Sequence, residues 1–195
     1  MNDLYVSLEE MREDLNLQAD DTTADRRLDA AIRGASRSVD LTCGRRFWLD
    51  PEPVARVINP RGRTWCDPDG DHLLVADIGD QEVTVATGPP GGPYSSPVPV
   101  EAEPTDALAQ GAPVTSLLRI GGQWSGRVQI TARWGWPAIP ASVAAAARIQ
   151  AARLYRRKDS PEGVTGSAEW GVVRLSRRDP DVWTLLEPYM LPGIA

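Results

Sequence analysis

The 195-residue sequence is poor in several residue types on which common functions depend. It has one histidine, one phenylalanine and two cysteines, and only one of its 21 cationic residues, Lys158, is a lysine. No run of about 18 apolar residues is present, so we expect no membrane-spanning helix and no membrane partner. Residues 1–14 are acidic and polar, whereas a signal peptide would be basic and then apolar. We therefore expect synthesis in the cytoplasm.

Cysteine content and net charge exclude two further classes. Cys43 and Cys66 are too few for a disulfide framework and lack metal-site spacing, so we expect both to be reduced and partly buried. The net charge of -6 argues against a protein that coats nucleic acid, because affinity for DNA comes from neutralising its phosphates. The length and the 42% hydrophobic content predict one globular domain, or one domain carrying an insertion.

Charge is unevenly distributed along the chain. Residues 1–50 contain 11 acids and 7 bases, residues 51–136 contain 10 and 6, and residues 137–195 contain 8 bases and 6 acids. An acidic front and a mildly basic back allow copies to attract one another head to tail. A solvated surface with local fluctuations explains the same pattern.

The N-terminal part has the signals of a helical hairpin. Ser7 and Glu10 form a capping box that opens a helix extending to about Leu17. After a polar break, Thr22 or Thr23 caps a second helix that runs to about Cys43 with one apolar face. A short connection between two such helices is typical of an antiparallel pair.

Residues 51–136 have the pattern of a small antiparallel β module. Alternating apolar residues and turn signals predict five strands: Val54–Ile58, Leu73–Ala76, Gln81–Thr87, Ser116–Ile120 and Arg127–Trp134. Nine of the 17 residues in 88–104 are proline or glycine, which predicts a loop there. The module would be inserted between two helical segments.

The C-terminal part returns to helical patterning. Pro140 suits the first turn of an Ala-rich helix that we predict over about Ala141–Lys158. Because this helix is apolar on two faces, we expect packed neighbours on both of them. A glycine-containing loop, Asp159–Ser176, follows, and Asp179 caps a last helix to about Tyr189. The sequence thus predicts an α+β fold with helical parts 1–50 and 137–195 and the β module 51–136 between them.

The lone histidine is the best candidate for chemistry. Asp67, Asp69, Asp71 and His72 could hold a divalent cation, but their glycine and acid spacing does not match an EF-hand, and a tight solvated turn is the favoured interpretation. No G-x-S-x-G elbow accompanies a serine, and no glycine pair is followed by the Lys-Ser/Thr of a phosphate loop. We expect no enzyme and no cofactor.

The helix end at 148–158 is basic and has two interpretations. Arg148, Arg153, Arg156, Arg157 and Lys158 could contact a nucleic-acid backbone. No aromatic residues interleave with them, so contact with acidic groups of a neighbouring subunit is an equally good interpretation.

Both ends of the chain resemble head–tail connector proteins of long-tailed bacteriophages. The segments that carry the resemblance are L-Y-V-S-L-E-E-M-R-E-D-L, then D-R-R-L-D-A-A-I-R-G-A-S-R-S-V-D with C-G-R-R-F-W, and finally G-W-P-A-I-P, A-A-R-L-Y-R-R-K-D-S-P-E-G-V, W-G-V-V-R-L-S-R-R-D-P-D-V and L-L-E-P-Y. The order of the closing segments is similar to that in adaptor proteins of actinobacterial siphophages. The resemblance covers about residues 3–48 and 133–190, roughly half of the chain.

The resemblance implies a structural virion protein of the neck with an α-helical connector core, a helical hairpin plus two C-terminal helices. Family members form a ring, usually of twelve copies, beneath the portal protein and extend the DNA channel toward the stopper or tail-completion protein. Double-stranded DNA passes through without specific binding. We expect the subunit or portal interface to include Ile149, Arg153, Arg156, Arg157, Trp170 and Trp183, with Asp159–Ser176 as a docking loop.

Three alternatives remain open. A stopper or tail-completion protein would suit the β-rich middle of the chain. A small metal-dependent enzyme would use the Asp67–His72 cluster. A DNA-binding regulator would show steeply salt-dependent affinity for DNA.

Overall fold

The computed structural model describes residues 3–17, 22–157, 164–165, 173–174 and 179–191. The chain divides into two compact units. The β unit is Phe47–Ala138, and the helical unit combines Asn2–Arg46 with Ile139–Ala195. The fold is of mixed α and β type with antiparallel sheets, as the sequence predicts. Within the described ranges, no helix is long and apolar enough to cross a lipid bilayer.

The N-terminal helices of the helical unit form close to where the sequence predicts them; the first follows its predicted cap, Ser7, whereas the predicted caps Thr22 and Thr23 are the first two residues of the second. Helix α1 is Leu8–Leu15, and Ser7 and Glu10 form the expected capping box, with the Glu10 backbone N donating to Ser7 Oγ at 3.2 Å. Asn16 ends α1 in the left-handed conformation. Helix α2 is Thr22–Cys43. Both helices are confirmed because their signals are local: a cap, an apolar period and a stop.

The C-terminal helices pack against each other in opposite directions. Helix α3 is Ala141–Arg156, and α4 is Pro180–Leu186, continued by a 3₁₀ turn over Glu187–Tyr189. Arg153 Nη1 lies 2.5 Å from Asp179 Oδ2 at the start of α4. Ser142 Oγ lies 2.9 Å from the Tyr189 hydroxyl after its end. Contacts at opposite ends of both helices establish the antiparallel arrangement.

The core of the helical unit forms where α1, α2 and α3 meet. Three of the four buried α3 side chains, those of Ala146, Ala147 and Ala151, are alanines, which allows close approach of neighbouring helices. Cys43 is also buried, and this burial raises the pKa of its thiol to about 11. The buried residues of the cluster are Val6, Met11, Leu28, Ile32, Ala35 and Ala151.

The β unit contains two four-stranded antiparallel sheets. Sheet I has the order β1 (Val54–Ile58), β8 (Arg127–Ala132), β4 (Thr84–Gly88) and β5 (Ser96–Pro97). Sheet II has the order β2 (Thr64–Cys66), β3 (Asp71–Ile78), β7 (Val114–Arg119) and β6 (Val100–Glu103). Alternate side chains of both sheets share one core. Its buried members are Leu73, Val75, Ile78, Val85, Val98, Val114, Leu117, Trp124, Val128, Ile130, Ala132 and Trp134.

The structure corrects two expectations in this unit. Residues 88–104 are not simply a loop, because β5 pairs with β4 and β6 pairs with β7 inside this proline- and glycine-rich stretch. Pairing with a partner strand, not local propensity, makes these segments extended. Cys66 is exposed and not partly buried, since it lies on β2, an edge strand.

Most of the predicted docking loop lies outside the described residues. Within it, β9 (Val164–Thr165) pairs with β10 (Val173–Arg174) in antiparallel register.

Candidate assembly surfaces

The predicted interface residues on α3 are partly engaged by the chain itself. Arg153 forms an ion pair with Asp179, which also caps α4 by accepting from the backbone N of Asp181 at 2.9 Å. Ile149 is half-buried and lies two turns after Ser142 and one turn before Arg153, on the face that contacts α4 and its 3₁₀ turn. The sequence predicts a packed neighbour on each of the two apolar faces of α3, and α4 of the same chain is therefore one of these neighbours.

The remaining predicted interface residues differ in exposure. Arg156 and Arg157 are exposed at the C-terminal end of α3, and Trp183 is half-buried on α4. Trp170 lies outside the described residues. The structure brings Arg153, Ile149 and Trp183 into one helix pair, and their role at an interface stays a prediction.

Part of the positive charge of α3 is neutralised within the helical unit. Arg148 Nε donates to Asp14 Oδ2 of α1 at 2.8 Å, and a second bond makes the pair bidentate. The Arg148 guanidinium lowers the pKa of Asp14. With Arg153 paired as well, Arg156 and Arg157 are the exposed cations of this helix end, and Lys158 lies outside the described residues.

The acidic segment before β3 is a tight turn. Asp67 Oδ1 accepts hydrogen bonds from the backbone N of Asp69 at 2.9 Å and of Gly70 at 3.2 Å, the geometry of an Asx turn. Asp71 Oδ2 accepts instead from the backbone N of Trp124 at 2.7 Å. In the described part of the chain, no three His, Cys, Asp or Glu residues are grouped so that they could hold a metal ion.

His72 is held between two carboxylates. Its Nδ1 lies 2.7 Å from Glu103 Oε2, and its Nε2 lies 2.9 Å from Asp67 Oδ1 in a poorly aligned ion pair. Ser116 Oγ donates to the same Glu103 oxygen at 3.2 Å. The imidazole is buried, with 4% of the residue exposed. Glu103 could not be predicted from the sequence as a partner of His72, because it lies 31 residues from His72 on a strand expected to be part of a loop.

Both carboxylates favour the protonated imidazole. Asp67, and then Glu103, raise the pKa of His72, while burial opposes them. His72 in return lowers the pKa of Asp67. A histidinium can donate from both ring nitrogens, whereas the neutral ring leaves one of the two carboxylates without a donor.

This arrangement predicts a measurable pH dependence. Because the pKa of His72 is raised on folding, its stabilisation is fully present below about pH 6.5, the unfolded value, and is lost as the pH rises through the folded pKa. As the only histidine, it gives one set of ring resonances, so NMR titration should show a midpoint above the unfolded value. Asp67→Asn should lower this midpoint, and Asp106→Asn should leave it unchanged, because the Asp106 carboxylate accepts from Gln110 instead. An unshifted wild-type midpoint would contradict the prediction.

Trp65 covers the histidine from the solvent side. The two rings are stacked, with centroids 4.8 Å apart and planes 5° from parallel. Trp65 and His72 are register partners on β2 and β3, and His72 pairs with Leu118 on β7. Since register partners share a face of a sheet, this row lies on the side of sheet II opposite the core.

The outer face of sheet II exposes more large apolar side chains than the outer face of sheet I. Trp65, Leu74 and Ile120 are 44%, 50% and 55% exposed, and we call these three residues the outer patch. The outer face of sheet I carries two rows of register partners, Thr84–Thr131–Ala55 and Ala86–Gln129–Val57. A concentration of exposed large apolar side chains on one face is typical of an interaction surface.

Comparison with known proteins gives a structural match and no sequence match. No protein-family model and no curated protein matches the chain. Among solved structures, a chain in the neck of an empty GTA particle, computed with C6 symmetry, has a TM-score of 0.55 and 16% identity. It covers 98% of this chain and 92% of its own length.

Two further matches come from native particles. A chain in the virion of a native gene transfer agent (GTA) particle has a TM-score of 0.52 and 18% identity, with coverage of 98% and 92%. A chain in the neck of a native GTA particle, computed with C12 symmetry, has a TM-score of 0.50 and 18% identity, with coverage of 96% and 90%. The protein therefore has the fold of chains that build the neck of gene transfer agent particles.

Proposed function

We propose that this protein is a structural component of the neck of a phage-like particle, and that within the neck it is the head-to-tail adaptor. In this role it forms a ring beneath the portal protein, extends the DNA channel and joins the head to the tail. The helical unit is the connector core of this ring, and the β unit decorates it. The protein acts without catalysis and without a cofactor.

The observation that carries this proposal is the extent of the structural match. The solved neck chain with a TM-score of 0.55 covers 98% of this chain, so the match includes both the helical unit and the β unit. The neck structures with C6 and C12 symmetry favour a cyclic assembly here, the arrangement expected when two different patches of each subunit meet.

Charge supports a passive channel. The net charge is -6, and several cations are paired with carboxylates in the helical unit, including Arg12 with Asp25 and Arg148 with Asp14. A surface of this kind repels the phosphate backbone instead of binding it. DNA can then pass without being held.

The adaptor role is tested by locating the chain and by measuring its portal binding. Gold-labelled antibody against the chain should mark the junction of head and tail in native particles, and a label elsewhere would overturn the neck assignment. The purified chain should also cosediment with isolated portal rings. A chain that lies at the junction but binds the portal only through another neck protein would be a stopper or tail-completion protein.

The exposed cations at the end of α3 should contribute to assembly. We expect Arg156→Glu with Arg157→Glu to weaken ring formation or portal binding at least about tenfold, since like charges then face an acidic partner surface. Arg26→Glu with Arg33→Glu is the matched control, because it changes the net charge equally at exposed positions of α2. Cosedimentation with portal rings and electron microscopy measure the effect; equal binding by both double variants would remove these residues from the interface.

A further inference from the structure

The outer patch has the features of a preformed binding site. Trp65 is exposed over 44% of its surface, yet its indole is stacked on an imidazole that two carboxylates fix in place. Tryptophan is enriched among residues that dominate binding energy. A side chain that is already ordered loses less conformational entropy on binding.

The rim of the outer patch is predominantly acidic. Asp67 and Glu103 contact His72 beneath Trp65, Asp69 is exposed in the adjoining turn, and Glu101 is the register partner of Leu118 on the same face. The positive groups at this rim are Arg63, which precedes β2, and His72 itself. Carboxylates outnumber cations there.

The helical unit presents a feature of the opposite kind. Leu41 on α2 is 84% exposed, more than any other large apolar side chain in the described residues. One turn before it lies Arg37, and Arg45 and Arg46 follow at partly exposed positions. Two acids are also nearby: Asp40 accepts a hydrogen bond from the Tyr5 hydroxyl and pairs with Arg37 at 3.0 Å, and the Asp3 carbonyl oxygen accepts a hydrogen bond from Arg37. Leu41 is thus an apolar side chain with more cations than acids around it.

We propose that Leu41 of one copy of this chain packs on the outer patch of the next copy. The apolar side chains meet at the centre, and the acidic rim of one copy faces Arg37 and Arg45 of the other. This inference rests on the proposed function, which requires contacts between copies. Two different surfaces take part, so the contact is heterologous and can propagate around a ring.

The first test measures self-association of the full chain by sedimentation velocity. Trp65→Ala and Leu41→Glu should each weaken association at least about 30-fold, the loss expected for a residue at the centre of an interface. Val57→Ala should have no effect, because Val57 is 46% exposed on the outer face of sheet I. Circular dichroism and the His72 resonances verify that each variant is folded.

A mixing experiment tests whether the two surfaces bind each other. The Trp65→Ala copy retains Leu41, and the Leu41→Glu copy retains the outer patch, so an equimolar mixture should form a heterodimer that neither variant forms alone. Species larger than the heterodimer should not appear. Absence of the heterodimer would overturn the proposal.

Other outcomes would also overturn it without touching the proposed function. A wild-type chain that remains monomeric at about 1 mM, where even a Kd of that size gives detectable dimer, would show that the two surfaces do not bind each other. If Trp65→Ala abolished portal binding but left self-association intact, the outer patch would be a portal contact. In both cases gold labelling at the head–tail junction would still support the neck assignment.

Discussion

Gly135→Ala is expected to prevent the β unit from reaching its native structure, or to lower its unfolding free energy by more than about 4 kcal/mol. Gly135 has a φ of +116°, and a Cβ added to it would lie 2.0 Å from the Trp48 carbonyl oxygen and 2.8 Å from its carbon. The segment that contains Trp48 cannot easily move away from Gly135, because the nearby Asp50 backbone N donates to the Trp134 carbonyl oxygen at 2.8 Å. Urea denaturation followed by far-ultraviolet circular dichroism measures the effect.

Gly62→Ala is the matched control for this prediction. Gly62 also has a positive φ, +75°, but a Cβ there would meet no atom within 4 Å. Its cost should be limited to the backbone strain, about 1–2 kcal/mol. Equal stability losses in the two variants would show that the close approach of Trp48 to Gly135 contributes nothing.

Trp134→Ala is expected to destabilise the β unit by about 3–5 kcal/mol, the usual cost of removing a buried aromatic side chain. Trp134 is 1% exposed and belongs to the shared core of both sheets. Its Nε1 donates to the Val54 carbonyl oxygen of β1 at 2.7 Å, and it forms a bridge with Ile78 of β3. The guanidinium of Arg56 lies 4.4 Å from its ring centroid.

Two variants separate the contributions to this loss. Trp134→Phe keeps most of the apolar volume but removes the hydrogen bond to Val54, so it should cost less than the alanine variant. Val57→Ala on the neighbouring strand should change stability by no more than about 0.5 kcal/mol, as is usual for exposed positions. A Trp134→Ala variant as stable as Val57→Ala would mean that the two sheets do not depend on this side chain.

The expected consequences for assembly differ from those for stability. Gly135 and Trp134 stabilise the β unit, so substitutions at these positions should impair its folding. Trp65 and Leu41 are exposed, and their variants should fold and lose only contacts between copies. Comparing the two groups distinguishes a folding defect from an assembly defect in the same assay.

The elements whose signals are local could be predicted from the amino-acid sequence. The capping box at Ser7 and the 3.6-residue period predict α1 and α2, Asp179 with Pro180 predicts the start of α4, and alternating apolar residues predict β8. Each of these depends on residues within one or two turns, or within one strand, so neighbouring side chains suffice to specify them.

Only the tertiary structure decided which residues meet across the chain. Strands β5 and β6 exist because β4 and β7 supply their hydrogen bonds, and this pairing brings Glu103 to His72 across 31 residues. The antiparallel arrangement of α3 and α4 pairs Arg153 with Asp179, which lies 26 residues away in the sequence. Composition likewise does not predict which tryptophan is buried, as Trp134 is, and which is exposed, as Trp65 is. Burial and partnership depend on non-local pairing, which no local pattern of residues encodes.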